Sequence, residues 1–140
     1  MLKNNEFIGK LRSSGLRPTK QRLKICEVLF EREKTFHFTV EELDKLINKK
    51  SKNAKISLAT FYNTVHAFKK AGHLKAILTK NNKHYFDTQV GPHHHFFDEK
   101  NNQLIDIKKS EINLINIPKA PKGKSIKDID VIINIENDSQ

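Results

Sequence analysis

Cysteine occurs once in the chain, as Cys26. A single thiol excludes an internal disulfide and a cysteine-rich zinc site. On its helical stripe it reads as a small buried apolar residue. No apolar run approaches the roughly 18 residues that a membrane span needs. The opening Met1-Leu2-Lys3-Asn4-Asn5-Glu6 lacks the apolar stretch of a secretory signal, so a cytoplasmic location and no membrane partner are expected. There is no G-x-S-x-G elbow, no P-loop and no H-E-x-x-H pair, and Glu99 is the only Glu near the histidine-rich stretch. The chain is therefore not expected to be an enzyme. Repeats and low-complexity tracts are also missing.

Acidic residues are scarce where basic ones are dense. Residues 1–90 hold 19 Lys+Arg and 8 Asp+Glu, a balance of +11, whereas residues 91–140 hold 7 and 8, a balance of −1. The asymmetry points to a polyanionic partner, either nucleic acid or an anionic surface. At 140 residues and 36% hydrophobic content the chain has enough apolar material for one domain, or for two small ones sharing a core.

Hydrophobic periodicity predicts four helices. The first covers 6–11, with Gly15 as its C-cap. The second opens at Pro18-Thr19 and runs to about residue 33, with Leu23, Cys26 and Phe30 on one stripe. The third begins with the capping box Thr39-Val40-Glu41-Glu42 and turns Val40, Leu43, Leu46 and Ile47 inward. A polar turn over 48–55 leads to a fourth helix, capped by Ser57 and stopped by Gly72. The period then changes to that of strands. Runs at 74–79 and 83–88 join across Asn81-Asn82, and runs at 93–99 and 103–107 join across Asn101-Asn102. A short helix is expected over 110–117, before Pro118. A half-buried strand over 129–135 follows, with Ile129, Val131, Ile133 and Ile135 on one face. Two helices with a polar turn, then a hairpin, suggest a helix-turn-helix with a wing.

At ~100° per residue, Leu58, Phe61, Val65 and Phe68 of the fourth helix share one arc and should face the core. The opposite face carries Ala59, Thr60, Asn63, Thr64, Ala67 and Lys70. Small and neutral polar side chains of this kind let a helix sit deep in a major groove, where Asn can bond adenine and methyl groups can meet thymine. Tyr62 and His66 border that face, within reach of sugar or phosphate. Ser57 opens the helix. Arg12, Arg17, Thr19, Lys20 and Arg22 upstream, Lys69 and Lys70 at the helix end, and Lys80 and Lys83 on the hairpin supply the groups that contact phosphates.

His93-His94-His95 precede Phe96-Phe97. On a strand, His93 and His95 point to one face and His94 to the other. Two imidazoles on one face can share a metal ion, and Asp87 and Asp106 stand on the neighbouring predicted strands. His37 lies alone before the third helix. A nitrogen and oxygen donor set suits zinc, ferrous iron or manganese.

The segments Gly15-Leu16-Arg17-Pro18-Thr19-Lys20-Gln21-Arg22, Val40-Glu41-Glu42-Leu43 and Ser57-Leu58-Ala59-Thr60-Phe61-Tyr62-Asn63-Thr64-Val65, with the triple His after Tyr85-Phe86-Asp87, resemble the ferric uptake regulator (Fur) family over roughly residues 7–136. Tyr85-Phe86-Asp87-Thr88, His93-His94-His95-Phe96-Phe97, Leu104-Ile105-Asp106-Ile107 and Asp130-Val131-Ile132-Ile133 look most like its iron response regulator (Irr) branch. The resemblance implies an α+β fold, with a winged helix-turn-helix DNA-binding domain at 1–88 and a small α/β dimerisation domain at 89–140. It also implies a homodimer on a pseudo-palindromic duplex operator, regulating iron and haem genes.

By the resemblance, His37, Asp87, His95 and Asp106 fall at or near interdomain metal-ligand positions. His93 is the register alternative, and His94 aligns with a second, more surface-facing site. Three departures set this chain apart. It has no C-x-x-C pairs, so no structural zinc held by four cysteines is expected. Phe97 replaces a histidine, and Asn63 replaces the Arg that commonly follows the recognition Tyr. All three agree with the Irr branch, which responds to haem. Cys26 is followed by Glu27 and so makes no Cys-Pro haem motif, which leaves His93, His94 and His95 as the haem candidates, with a haem-supplying enzyme as a further partner.

The resulting expectation is a dimeric DNA-binding regulator relieved by haem. One alternative is a repressor of metal-uptake genes activated by a divalent metal at His37, Asp87, His93, His95 and Asp106. The other, of a different class, is a small histidine-based metal-storage protein or metalloenzyme.

Overall fold

A computed structural model describes residues 2–50 and 55–139. The chain divides into two compact units: Met1–Leu78 with Asn82–Val90, and Thr79–Asn81 with Gly91–Gln140. Among the described residues no helix is long and apolar enough to cross a membrane.

The first unit holds helices α1 (Leu2–Ser13), α2 (Lys20–Phe30), α3 (Val40–Asn48) and α4 (Leu58–Lys70), and strands β1 (His37–Phe38), β2 (Lys75–Leu78) and β3 (His84–Asp87). The helices start where hydroxyl caps stand. Thr19 accepts from the Arg22 N–H, Thr39 and Glu42 complete a reciprocal capping box, and Ser57 accepts from the Thr60 N–H. Two helices stop at glycines in the left-handed region, Gly15 at φ 77° and Gly72 at φ 87°. At the end of α4 the Gly72 N–H reaches the Lys69 carbonyl at 3.1 Å and the His73 N–H reaches the Phe68 carbonyl at 2.8 Å. This paired pattern satisfies the last carbonyls and needs a residue without Cβ at the turn.

Phe7 and Leu11 of α1, Ile25, Cys26 and Leu29 of α2, Leu43 and Ile47 of α3, and Phe61, Val65 and Phe68 of α4 converge on one apolar core. Phe38 and Phe86 close it from the sheet, which has the antiparallel order β1-β3-β2. Burial there drives the desolvation that pushes the Cys26 thiol up to about 12, so the thiol stays protonated and packs as an apolar side chain.

Two side chains leave the faces expected of them. Leu58 is 44% exposed and Leu46 is 37% exposed, although helical periodicity turns both inward. Leu58 lies in the first turn of α4, at about 60° from Phe61 at ~100° per residue, on the edge of the buried arc. The expected turn over 48–55 lies in part outside the described residues. Its ends are nonetheless tied together: the Asn48 amide donates to the Ile56 carbonyl and accepts from the Ile56 N–H, each at 2.8 Å.

In the second unit β4 (His93–Asp98) is the central strand, antiparallel to β5 (Gln103–Lys108) and parallel to β6 (Ile132–Ile135). Asn102, at φ 51°, turns β4 into β5, and Asp98 accepts from the backbone N–H and the amide of Asn101. The parallel pair needs a long crossover. Residues 109–131 provide it almost without regular structure. The helix expected over 110–117 is a single 3-10 turn, Lys109–Glu111. The Ile and Asn residues that follow are weak helix formers, and Asn116 adopts φ 57°, which ends any helix. The strand expected over 129–135 begins only at Ile132, and its apolar row is not covered. Ile133 is 40% exposed, across from Phe96 on β4, which in turn faces the 41% exposed Ile105 on β5.

β3 and β4 belong to different sheets, so Asp87 is not on a strand next to the histidine triplet as expected. Its strand neighbours are β1 and β2.

Candidate nucleic-acid interface and metal-ligating residues

α4 presents Ala59, Tyr62 and Asn63 to solvent, with Thr60 partly so. Ser57 and Thr60 hydroxyls lie 2.9 Å apart at the helix start, where they complete the cap. Arg17, Thr19, Lys20, Gln21 and Arg22 line one surface depression together with Thr60, so the basic start of α2 lies beside the start of α4. The Arg22 guanidinium donates to the Arg17 carbonyl at 2.9 Å, which fixes the base of that cluster. Lys69 and Lys70 at the end of α4, Lys80 in the hairpin turn and Lys83 after it are all exposed.

Thr64 corrects the expected reading face. It is fully buried, and its hydroxyl has no hydrogen-bond partner among the described residues. At ~100° per residue it lies about 60° from Phe61 on the side opposite Leu58, so packing has rotated the buried arc toward the smaller side chain.

Tyr62 has a partner that sequence reasoning missed. Its hydroxyl donates to Glu41 Oε1 in the first turn of α3. The bond holds the Glu41 carboxyl below its usual range, with the own-backbone hydrogen bond and Lys83 adding to the effect, and it holds the phenol above its own. The Tyr62 ring stacks on His66 at 5.9 Å and 14°, and the His66 ring meets the Phe86 edge at 5.9 Å.

The histidines and carboxylates form a set in each unit. In the first unit, His37 on β1 stands in register with Asp87 on β3, and their Nε2 and Oδ2 atoms are 3.1 Å apart. Asp87 is fully buried, and its other oxygen accepts from the Gln89 N–H at 2.9 Å, which fixes the carboxylate plane. Periodicity could not show this pairing, because β1 is only two residues long.

In the second unit, His93 and His95 share a face of β4, with Asp106 paired to His95 on β5. Both Nε2 atoms approach the same oxygen, Asp106 Oδ1, at 3.4 and 3.3 Å. His93 Nδ1 lies 2.7 Å from the Gly91 carbonyl. A carbonyl only accepts, so Nδ1 carries the proton, and in the neutral ring Nε2 is left with its lone pair. The other ring nitrogen, Nε2, is the one that faces the carboxylate oxygen, so a cation between them would meet a donor atom on each side. A backbone carbonyl that fixes the tautomer of a ligating histidine is the common outer support of metal sites.

His94 points to the other face, as expected, but it is not surface-facing. It is buried, and its Nδ1 accepts from the Val131 N–H at 3.0 Å. The resemblance implied a more surface-facing site there; the backbone just ahead of β6 occupies the ring nitrogen instead.

With this geometry in place, comparison with known proteins defines the class. The sequence profile of the ferric uptake regulator family matches residues 13–134, and the chain belongs to that family. A peroxide-responsive repressor PerR of Staphylococcus epidermidis is 33% identical over 101 residues, which is 72% of this chain. The match spans 65% of that relative's own length. The fold resembles the manganese-containing ferric uptake regulator of Pseudomonas aeruginosa, with a TM-score of 0.67 at 22% identity over 99% of this chain and 100% of that one. It also resembles a zinc-bound manganese uptake regulator, with a TM-score of 0.63 at 24% identity over 94% of this chain and 96% of that one.

Proposed function

We propose that the chain is a cytoplasmic, homodimeric, metal-dependent repressor. Residues 1–88 would read a duplex operator, and residues 89–140 would dimerise. One divalent ion would take ligands from His37 and Asp87 and from His93, His95 and Asp106. The observation that carries the reading is the convergence of the two Nε2 atoms on Asp106 Oδ1, with the His93 tautomer set by the Gly91 carbonyl.

Three imidazoles and two carboxylates suit zinc, ferrous iron or manganese, and no soft thiolate is required. Each set alone is short of the four to six donors that such ions take, so an ion that recruits both is held better than by either. An ion shared in this way biases the orientation of the reading half, and in a dimer it biases both half-site contacts at once. Arg17, Thr19, Lys20, Arg22, Lys80 and Lys83 would hold phosphates. Ala59, Thr60 and Asn63 would meet base edges, with Ser57 setting the helix start and Tyr62 at the border. The uncovered row of Ile105, Phe96 and Ile133 is the apolar face through which two copies would pair.

The finer Irr-like reading, with haem at His93, His94 and His95 and a haem-supplying enzyme as partner, draws its support from the resemblance and from Phe97, Asn63 and the lack of cysteine pairs. The donor geometry favours the ion. All three imidazoles are at most 4% exposed on a central strand, and His94 already spends Nδ1 on the Val131 N–H. A response to peroxide is a second reading, favoured by the relative that carries that description.

An operator selected from random duplexes and titrated with protein tests these readings. Binding that requires manganese, zinc or ferrous iron and is abolished by EDTA supports the proposal. Binding that ignores EDTA but is relieved by haem, with a new visible absorption band, would replace it with the Irr-like reading. Release by peroxide from the iron-loaded form alone supports the second reading. Metal uptake at high stoichiometry without sequence-selective DNA binding would return the protein to the storage or metalloenzyme class.

A further inference from the structure

We propose that Glu41 is a positioning residue that determines how Tyr62 meets DNA. By accepting the hydrogen bond of the phenol, it leaves Tyr62 a ring and an oxygen acceptor instead of a phosphate donor. The proposal rests on the reading of α4 as the base-reading helix.

Tyr62 stands on the exposed border of α4, beside Asn63. Three contacts hold it. Its backbone belongs to the helix, its ring stacks on His66, which is in turn braced by Phe86, and its hydroxyl donates to Glu41. Glu41 is itself fixed in the first turn of α3, behind the Thr39–Glu42 capping box.

A phenol has one proton to give, and a phosphate oxygen only accepts. With its O–H donated to Glu41, the phenol cannot also donate to the DNA backbone, and the carboxylate beside it repels phosphate. What Tyr62 still offers is read in the major groove. Its lone pair can accept from the amine of cytosine or adenine, and its ring can meet a thymine methyl. These are base contacts, whereas a phosphate contact would carry no sequence information. Lys83 lines the same hollow as Glu41, Tyr62 and His66, so the carboxylate is offset by a cation where a polyanion must approach. The shifts of both groups agree: the proton stays on the phenol and the charge on the carboxylate at neutral pH.

The test compares wild type, Glu41→Ala, Glu41→Gln, and the same changes in a Tyr62→Phe background, on the selected operator and on a scrambled duplex. Gln keeps an acceptor for the phenol and removes the charge; Ala removes both. Glu41→Ala is expected to lower the operator-to-scrambled ratio about tenfold, within the discrimination a base contact supplies, by gaining affinity for scrambled DNA. Glu41→Gln should keep the ratio while tightening both duplexes. In the Tyr62→Phe background the Ala change should leave the ratio within about twofold. If Ala and Gln act alike, Glu41 works through charge alone and the proposal is wrong. An Ala effect of equal size in both backgrounds also overturns it.

Tyrosine emission reads the positioning without DNA. The chain has no tryptophan and two tyrosines, of which Tyr85 is buried. Glu41→Ala should brighten emission by removing the quenching carboxylate, and Gln should do so too; unchanged emission overturns the proposal. A wild type that does not distinguish the duplexes would sink the DNA reading itself, and the emission result would still decide whether Glu41 holds Tyr62. Thermal melts confirm that each variant is folded.

Discussion

Replacing Asn48 by Ala should loosen the reading helix from its scaffold. Asn48 ends α3, and its amide makes two hydrogen bonds to the backbone of Ile56, just ahead of the Ser57 cap. Ile56 is buried at 6% exposure, so water replaces those bonds poorly. Each such bond contributes about 1 kcal/mol net, and stranding a part-buried donor and acceptor adds to the loss, for a total of about 2–3 kcal/mol. Ala is the better helix former by at most about 0.7 kcal/mol, and less at a terminal position, so about 2 kcal/mol of destabilisation remains. For a unit of this size each kcal/mol moves the midpoint by about 4–8 °C, so Tm should fall by about 8–16 °C. Thermal melting with urea denaturation at 25 °C measures it. Asn48→Asp keeps the acceptor for the Ile56 N–H but sets a carboxylate against the Ile56 carbonyl and near Asp44, so it should be no better than Ala. An Ala cost below about 0.5 kcal/mol, or an Asp variant as stable as wild type, would refute the argument.

Three further outcomes are expected. Asn63→Ala should relax base preference at one operator position by about 1–3 kcal/mol, whereas Lys80→Ala or Lys83→Ala should weaken all duplexes alike and lower the salt slope by about 1; if Asn63→Ala behaves like the lysine changes, α4 is not in the groove. Burial, then Lys10, holds His73 below the ordinary histidine value of 6.5, so below that pH the unfolded chain binds the proton more readily. The stability this gives is present above 6.5 and lost as pH falls through the lower folded value; His73→Gln should flatten that fall in urea melts, and an unchanged profile contradicts it. Ile133→Asp should convert a dimer to a monomer in sedimentation at micromolar concentration, and a persisting dimer would place the interface elsewhere.

Much of this architecture was legible where local rules act alone. Thr39 with Glu42 and Ser57 with Thr60 marked helix starts, because a hydroxyl or carboxylate three residues from a free N–H is a local arrangement. Gly15 and Gly72 marked helix ends because only glycine takes those angles cheaply. The alternation of the triplet followed from the pleat, whereas the pairing of His95 with Asp106 depends on the four-residue connection 99–102; a two-residue turn at Asn101-Asn102 would have set His95 opposite Lys108.

The rest depends on partners far away in the chain. The edge of a helical arc is decided by what packs there, so Thr64 went in and Leu58 stayed out. The pairing of His37 with Asp87 spans 50 residues through a two-residue strand with no pattern of its own. The Gly91 carbonyl that sets His93, the Ile56 backbone that holds Asn48 and the Glu41 carboxylate that holds Tyr62 are ordinary groups until the fold brings them close. Residues 110–117 carried an apolar period, but the left-handed Asn116 and the helix-poor Ile and Asn around it prevailed.

The central claim is that one ion draws ligands from both sets, and calorimetric titration with manganese or zinc tests it most directly. The account predicts one tight site per chain in the wild type. It predicts that His37→Ala and His95→Ala each weaken that same site by more than about tenfold, and that the double variant is not additive, because the ligands act as a unit. Two sites per chain, with His37→Ala and His95→Ala each removing a different one, would contradict it.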